Sequence, residues 1–132
     1  MSARLLGIGL DVVDVERIAG VLARRGARFL ERVLTPQERI DVGDPPRATS
    51  VAARFAAKEA VAKAFGTGVR GFSLRDIEVH RDERGCPAIR LHGGAAQVAA
   101  ALGVARVWIS LSHEKTVAVS VAVLEGDVPC SS

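Results

Sequence analysis

The middle of the chain reads RFAAKEAVAKAFGTG over residues 54–68 and is rich in alanine. Alanine has the highest helix propensity of the amino acids, and Thr49 or Ser50 can cap such a helix at its start. Gly66 is suited to end it, because glycine readily adopts the conformation that follows a helix C-terminus. The sequence therefore predicts the strongest helix of the chain here, continuing through Phe65.

An apolar run covers residues 4–13 and contains Gly7 and Gly9. Such a run predicts a buried strand, and glycines inside a strand indicate the close approach of another backbone segment. Asp11 interrupts the run. An unpaired buried carboxylate is unfavourable by several kcal/mol, so Asp11 must lie at a strand end, accept hydrogen bonds or contact a cation. The alternative is a capping residue at the entry to a helix.

Shorter helices are predicted between this strand and the central helix. Asp14 is a suitable N-cap for an amphipathic helix over residues 14–25, which should end near Gly26. A second short helix is predicted over residues 28–33. The segment Thr35–Glu38 has a capping-box arrangement with proline at the first helical position, which predicts a brief third helix.

The second half of the chain predicts two hairpins separated by a helix. Strands are expected over residues 75–81 and 87–92, followed by an alanine-rich helix over 94–102. Two β-branched, partly alternating runs at 104–111 and 116–124 predict a second hairpin. The expected fold class is α+β, with antiparallel strands packed against a long central helix.

Length and composition favour a single globular domain. Of the 132 residues, 48% are hydrophobic and 25% charged, which argues against disorder. We expect one domain over residues 1–132, with about 125–132 as a loose C-terminal tail. The two cysteines, Cys86 and Cys130, do not make a disulfide framework, and the N-terminus resembles neither a secretory signal nor a membrane span. A cytoplasmic location is therefore expected.

Glu59 and Lys63 lie four residues apart in the central helix and so share one of its faces. One interpretation is an ordinary surface pair, which contributes roughly 0.2–0.5 kcal/mol. The other interpretation is a ligand site, because the surrounding face is nearly all alanine and leaves space for another molecule to approach.

The segment Gly66–Gly68 is open to two interpretations. It can be a helix C-cap followed by a tight turn, or a flexible backbone that lets a phosphate or an adenine ring approach closely. The helix dipole would not favour an anion at this end, so Lys63 would have to supply the positive charge. His113 is likewise a turn residue or a ligand. The sequence has no CxxC pair, HExxH motif or P-loop, so zinc sites and nucleotide-triphosphatase chemistry lack their usual marks.

Three stretches change the balance between these interpretations: GIGLD at residues 7–11 with Glu16–Ile18, RFAAKEAVAKAFGTG at 54–68, and SLSH at 110–113. In order and spacing they resemble the signatures of holo-acyl-carrier-protein synthases, which are 4′-phosphopantetheinyl transferases, and the likeness extends from about residue 5 to residue 124. The resemblance implies the fold of that family. It also implies transfer of 4′-phosphopantetheine from coenzyme A to a serine of apo-acyl carrier protein, leaving adenosine 3′,5′-bisphosphate, in support of fatty acid biosynthesis.

The resemblance also implies a catalytic set of Asp11, Glu59 and Lys63. Asp11 and Glu59 match the carboxylates that hold magnesium on the pyrophosphate, and Lys63 matches the lysine beside it. Magnesium usually takes one or two carboxylates together with phosphate oxygens and water, so the assignment is chemically reasonable. Glu59 could remove the serine proton directly or through a metal-bound water, and both routes stay open.

Six residues are implied to line the coenzyme A site: Arg54, Lys63, Gly66, Thr67, Gly68 and His113. Arg54 and His113 are the candidates for contact with the ribose phosphate.

A net charge of +3 and a pI near 9.4 favour an acidic partner. Arg17, Arg24 and Arg28 would share one stripe of the first helix if it continued past Gly26. The stripe is either a solvated basic face or, as the resemblance implies, the surface that receives the acidic carrier protein. The resemblance further implies a homotrimer with active sites between subunits, to which the strand over residues 117–123 could contribute.

Two other functions compete with the transferase interpretation. A nucleic-acid-binding module would fit the basic pI, but the chain has one Trp, no Tyr and no interleaving of aromatic with basic residues. A non-catalytic subunit is disfavoured by the joint presence of Asp11, Glu59 and Lys63. We therefore expect apo-acyl carrier protein and coenzyme A as partners, and neither nucleic acid nor a membrane.

Overall fold

The computed structural model describes residues 3–128 of the chain. Five strands, four α-helices and one 3₁₀ turn follow one another along these residues: β1 (Ala3–Asp14), α1 (Val15–Val33), α2 (Pro36–Val42), α3 (Ala48–Ala64), the 3₁₀ turn (Leu74–Asp76), β2 (Ile77–Arg81), β3 (Pro87–Leu91), α4 (Gly93–Leu102), β4 (Arg106–His113) and β5 (Val117–Asp127). This is the α+β arrangement expected from the sequence.

The strands form two antiparallel sheets. The larger has the order β1-β5-β4, and the smaller is the hairpin of β2 and β3. Strand β5 pairs with β1 along nearly its whole length, with Asp11 opposite Ser120 and Asp14 opposite Val117. On its other edge β5 pairs with β4, where His113 lies opposite Ala118. The first and last strands of the chain are therefore neighbours.

Helix α3 covers one face of the larger sheet. Residues of β5 alternate along the strand, and Ala118, Ser120, Ala122 and Leu124 are buried. The helix itself is buried nearly all round, because Val51, Ala56, Ala60 and Val61 each have no exposed surface. Small side chains at these positions let the helix lie close to the strands.

The opposite face of the larger sheet is apolar and exposed, and we call it the open sheet face. Ile8, Leu10, Val12 and Trp108 on this face are 63%, 57%, 61% and 56% exposed. Val119, Val121 and Val123 of β5 lie between them by register.

The predicted helix starts are confirmed in two of three places. The Asp14 side chain accepts a hydrogen bond from the Glu16 backbone N–H at 2.9 Å, and Thr35 and Glu38 form the capping box of α2. The helix α3 was expected to be capped by Thr49 or Ser50, and this expectation is wrong, because the helix begins at Ala48 after Arg47 and has no side-chain cap. Thr49 and Ser50 instead lie in its first turn.

Helix α1 spans Val15 to Val33, but its helical angles are interrupted at Arg25, which has φ −143° and ψ 37°. The interruption lies next to Gly26, where the sequence predicts the end of the first helix. The predicted helices over residues 14–25 and 28–33 are therefore two segments of one kinked helix.

The C-terminal end also differs from expectation. Strand β5 continues to Asp127, and the carbonyl of Glu125 accepts a hydrogen bond from the Ala105 N–H at 2.8 Å. The segment 125–127 therefore belongs to the sheet rather than to a tail. The predicted loose residues 129–132, with Cys130, lie outside the described residues. Between residues 3 and 128, no helix combines the length and apolar character needed to cross a bilayer.

Candidate active site

Strand β1 and helix α3 approach so closely that two positions of the strand have no room for a side chain. A Cβ atom built on Gly9 would lie 1.9 Å from the carbonyl oxygen of Ala60, and one built on Gly7 would lie 2.2 Å from that of Ala64. This confirms the close backbone packing expected at the two glycines. Because alternate residues of a strand share a face, Asp11 also faces α3.

Asp11 of β1 forms an ion pair with Lys63 of α3. The Lys63 ammonium lies 2.8 Å from Asp11 Oδ1 and donates a second hydrogen bond to the Leu10 carbonyl oxygen at 3.0 Å. The Asp11 side chain is 14% exposed, whereas that of Lys63 is 54% exposed. Asp11 lies within β1 and is bonded to a cation, and Asp14, not Asp11, is the helix cap. The hydrogen bond and charge of Asp11 raise the pKa of Lys63.

Glu59 lies one turn before Lys63 on the same helix and is partly buried. Lys63 pairs with Asp11 rather than with Glu59, so the two are not the simple surface pair that their spacing allowed. Across residues 3–128, no hydrogen bond or ion pair engages the Glu59 carboxylate. Burial raises the pKa of Glu59, the charge of Asp11 raises it further, and the charge of Lys63 lowers it. The two carboxylates therefore act on one another electrostatically.

The residues present suit a hard divalent cation such as magnesium better than a structural zinc ion. Within the described part of the chain, no cluster of three or more His, Cys, Asp or Glu side chains could enclose a metal. Asp11 and Glu59 supply carboxylate oxygens, and no other group within residues 3–128 bonds to Glu59. Magnesium needs only one or two carboxylates when substrate phosphates and water complete its coordination, whereas a structural zinc site needs four protein ligands.

A buried ion pair anchors α3 directly behind this site. Lys58, adjacent to Glu59, is fully buried, and its ammonium lies 2.7 Å from Glu38 Oε1. It also donates hydrogen bonds to the carbonyl oxygens of Leu74 and Ile77. Burial lowers the pKa of Lys58, and the charge of Glu38 opposes that change. All three N–H groups of the ammonium are thereby satisfied, which keeps it charged in the interior.

The partners of Glu38 tie this anchor to the rest of the fold. Glu38 accepts hydrogen bonds from the backbone N–H groups of Thr35 and Val79 at 3.0 and 3.1 Å. The Thr35 hydroxyl donates to Glu78 at 2.7 Å. The sequence predicts the capping box of Thr35 and Glu38 but not the buried role of Lys58. The capping box is the only sign of that role in the local sequence, because the other partners are distant in sequence.

Arg54 lies on another side of α3, in a separate cleft. The cleft has a volume of about 470 Å³ and is lined by Gln37, Asp41, Arg47, Ser50, Arg54, His80 and Arg81. Arg54 Nη1 donates to the Ser50 hydroxyl at 2.7 Å, while its buried Nε has no hydrogen-bond partner among the described residues. Burial lowers the pKa of Arg54, and the charges of Glu38 and Asp41 oppose this. With three arginines, Arg47, Arg54 and Arg81, against the single carboxylate of Asp41, the cleft is a basic pocket.

The other predicted coenzyme-contacting residues are exposed. Gly66 and Gly68 follow α3 with φ of 80° and 68°, in open space, and Thr67 lies between them. His113 is exposed at the end of β4. Among the described residues, neither Arg54 nor His113 has a hydrogen bond or ion pair to Asp11, Glu59 or Lys63. Within one chain, Asp11, Glu59 and Lys63 act on one another through an ion pair and through their charges, whereas Arg54 and His113 are not among the groups that shift the pKa of Glu59 or Lys63.

A basic groove follows the kink in α1. Its volume is about 410 Å³, and it is lined by Val21, Arg24, Arg25, Arg28, Phe29 and Arg32. Two of the three predicted docking arginines, Arg24 and Arg28, line it, whereas Arg17 lies outside it, exposed near the start of the helix. The apolar floor of Val21 and Phe29 was not anticipated from the sequence.

Comparison with known proteins identifies the class. Residues 7–122 match the model of the 4′-phosphopantetheinyl transferase superfamily, so the chain belongs to that family. The match includes Asp11, Glu59, Lys63 and His113.

Individual relatives indicate the particular enzyme within this class. The holo-[acyl-carrier-protein] synthase of Halorhodospira halophila is 47% identical over 122 residues, covering 91% of this chain and 97% of that protein. Among solved structures, the acyl carrier protein synthase of Plasmodium yoelii with ADP bound has a TM-score of 0.87 at 32% identity, covering 97% of this chain and 100% of that one. The Helicobacter pylori synthase in complex with coenzyme A has a TM-score of 0.79 at 30% identity, covering 89% and 98%. The chain is thus a phosphopantetheinyl transferase of the holo-[acyl-carrier-protein] synthase kind, which confirms the fold and enzyme class expected from the sequence.

Proposed function

We propose that the chain transfers 4′-phosphopantetheine from coenzyme A to a serine of apo-acyl carrier protein in a magnesium-dependent reaction that yields adenosine 3′,5′-bisphosphate. The observation that carries this proposal is the convergence of Asp11, Glu59 and Lys63 from two elements about 50 residues apart. The Helicobacter pylori relative bound to coenzyme A supports the donor. A cytoplasmic role in fatty acid biosynthesis is part of the proposal.

The proposed reaction is a phosphoryl transfer that uses the three side chains of this site. The serine hydroxyl oxygen forms a bond to the phosphorus that carries the pantetheine. The bond from that phosphorus to the bridging oxygen breaks, and adenosine 3′,5′-bisphosphate leaves with the electron pair. Magnesium, when bound, supplies charge stabilisation to the pyrophosphate. Asp11 and Glu59 would hold it, and Lys63 donates hydrogen bonds to the phosphate oxygens as their charge develops.

Glu59 is the proposed acceptor of the serine proton. The Glu59 carboxylate can accept this proton directly or through a metal-bound water. Within residues 3–128 no hydrogen bond or ion pair occupies its oxygens. The adjacent anchor at Lys58 limits the rotation of this part of α3 and so keeps Glu59 directed toward Asp11.

We propose that the active form is a homotrimer. The open sheet face is apolar and exposed, and contiguous apolar patches of this kind mark protein interfaces. Arg54 and Glu59 are five residues apart, which is about 140° around a helix, so a single chain separates the basic cleft from the catalytic cluster. A second copy could supply its Arg54 cleft and His113 to the coenzyme phosphates of the first.

Sedimentation tests this assembly. We expect the wild type to sediment as a trimer, and Ile8→Glu on the open sheet face to produce monomers that have lost transfer activity. Ile40→Glu is a matched control, because Ile40 is 72% exposed but lies on α2, away from the sheet. A monomeric wild type with full activity would contradict the shared site.

The groove of α1 is the proposed docking surface for the carrier protein. Its arginines suit an acidic partner, and the floor formed by Val21 and Phe29 could receive an apolar side chain. Arg17, one to two turns earlier on the same helix, would extend the basic surface.

Intact-mass spectrometry of apo-acyl carrier protein tests the reaction. With enzyme, coenzyme A and magnesium we expect the carrier to gain the mass of one phosphopantetheine, and a chelator to abolish the gain. Glu59→Gln should nearly abolish transfer without unfolding the protein, whereas Glu83→Gln, in the exposed β2–β3 turn, should not. Absence of any mass gain from several folded carriers would refute the proposal.

A further inference from the structure

The Lys63 ammonium serves as the counterion of Asp11. It lies 2.8 Å from Asp11 Oδ1 and 3.0 Å from the Leu10 carbonyl oxygen, so two of its three N–H groups are used in holding it there. Asp11 itself is only 14% exposed, which leaves little room for water to solvate its charge. In the chain alone, Lys63 therefore balances the charge of Asp11.

Glu59 has no such partner. It shares the face of α3 with Lys63, yet no hydrogen bond or ion pair within residues 3–128 reaches its carboxylate. The charge of Asp11 is felt at Glu59 as a repulsion. With both carboxylates ionised, the cluster carries two negative charges against one positive, so it still attracts a cation.

A divalent cation and the Lys63 ammonium compete for the same carboxylate. Magnesium binds oxygen at about 2.1 Å in octahedral geometry, which would place a charge of +2 beside an ammonium held on Asp11. Repulsion at such a short distance favours separation of the two cations. Lys63 can move, because its side chain is 54% exposed and its four-carbon stem is flexible.

We propose that Lys63 is a resting counterion that leaves Asp11 when the divalent cation binds, and that metal binding thereby frees the ammonium for the pyrophosphate. This inference rests on the magnesium site of the proposed function. The inference adds a sequence to the binding events. Lys63 can donate hydrogen bonds to the phosphates only after the metal has replaced it as the partner of Asp11.

The chain offers a direct measurement, because it contains three lysines: Lys58, Lys63 and Lys115. Lys58 is buried, Lys63 is ion-paired and Lys115 is exposed in the β4–β5 turn. In protein labelled with ¹³C and ¹⁵N at lysine, the side-chain nuclear magnetic resonance spectrum should show three distinct signals. On titration with magnesium chloride we expect the Lys63 signal to move toward that of Lys115, while the Lys58 signal stays in place. A Lys63 signal that is unchanged when calorimetry shows magnesium to be saturating would overturn the exchange.

Matched variants give a second test. Lys63→Met should raise the affinity of the coenzyme-free protein for magnesium about fivefold, the factor that corresponds to loss of a partly exposed ion pair. Lys115→Met makes the same change in net charge and should leave the affinity within twofold. Equal affinities in Lys63→Met and the wild type would refute the competition.

The Lys63 exchange and the magnesium site can be refuted separately. If magnesium binds the wild type and supports transfer while Lys63 stays on Asp11, only the exchange is wrong. If calorimetry finds no magnesium binding with coenzyme A present, and transfer proceeds in chelator, the magnesium site itself is wrong and the exchange falls with it.

Discussion

The contact between β1 and α3 predicts a large effect for a single added methyl group. In Gly9→Ala, the new Cβ would lie 1.9 Å from the Ala60 carbonyl oxygen and 2.8 Å from the Ala64 nitrogen. Both neighbours are backbone atoms of a buried helix, so neither can rotate away. Opening the contact by about 1.5 Å would restore ordinary van der Waals separation. Overpacking of this kind costs roughly 1–3 kcal/mol, and we expect the upper end of that range.

The same displacement should reduce activity more than it reduces stability. Asp11 follows Gly9 on the same face of β1, so a shift of the strand moves it away from Glu59. A misplacement of about 1 Å in a catalytic group can lower the rate roughly 100-fold. We therefore expect Gly9→Ala to remain folded while kcat for transfer falls by about that factor and the affinity for magnesium also decreases.

Urea unfolding followed by circular dichroism, together with the mass-based transfer assay, tests both effects. Gly26→Ala is the stability control, because a Cβ there meets nothing within 4 Å and alanine is favoured over glycine in a helix. Wild-type stability and turnover in Gly9→Ala would show that the close contact does not position Asp11.

Three further outcomes are expected. Because burial and Asp11 raise the pKa of Glu59 in the folded state, ionised Glu59 opposes folding above that pKa. Glu59→Gln should therefore increase the free energy of unfolding at pH 7 without metal, and the gain should shrink as pH falls through the raised pKa; a gain that is constant with pH would contradict this. Lys58→Met should destabilise the fold by roughly 3–5 kcal/mol in urea unfolding, because Glu38 stays buried without its partner, and adding Glu38→Gln should recover part of the loss. Arg24→Glu should raise KM for the carrier protein more than KM for coenzyme A, whereas Arg39→Glu on α2 should change neither; equal changes in both constants would argue against the docking groove.

Local patterns accounted for much of the fold. The composition of residues 54–68 predicted α3, and the glycines of β1 predicted its close contact with another backbone segment. Both features depend on residues that are close together in sequence or that alternate along a strand, so one sequence is enough to predict them. The caps at Asp14 and Thr35 were predictable for the same reason, since each involves residues two or three positions away.

The features that the sequence did not predict depend on distant partners. Lys58 appears in sequence as one of two lysines on an alanine-rich helix, and only the partners at Glu38, Leu74 and Ile77 show that it is buried. The end of β5 is not predictable from local sequence, because its pairing partners lie at the start of β1 and β4. The break in α1, by contrast, is predicted locally by Gly26, and the helical angles are interrupted at the adjacent Arg25.

The two charged faces of α3 explain how the fold tolerates the partly buried carboxylate of Glu59. Lys58 and Glu59 are adjacent in sequence and project in different directions. Lys58 has every N–H group satisfied by buried acceptors, while Glu59 has no hydrogen-bond or ion-pair partner within residues 3–128 and is repelled by Asp11. Satisfied buried networks specify a single arrangement of the elements they join, so the anchor at Lys58 can hold α3 in place against that repulsion. A carboxylate held in this way retains its affinity for a cation and for a proton, which are the two properties that the proposed mechanism assigns to Glu59.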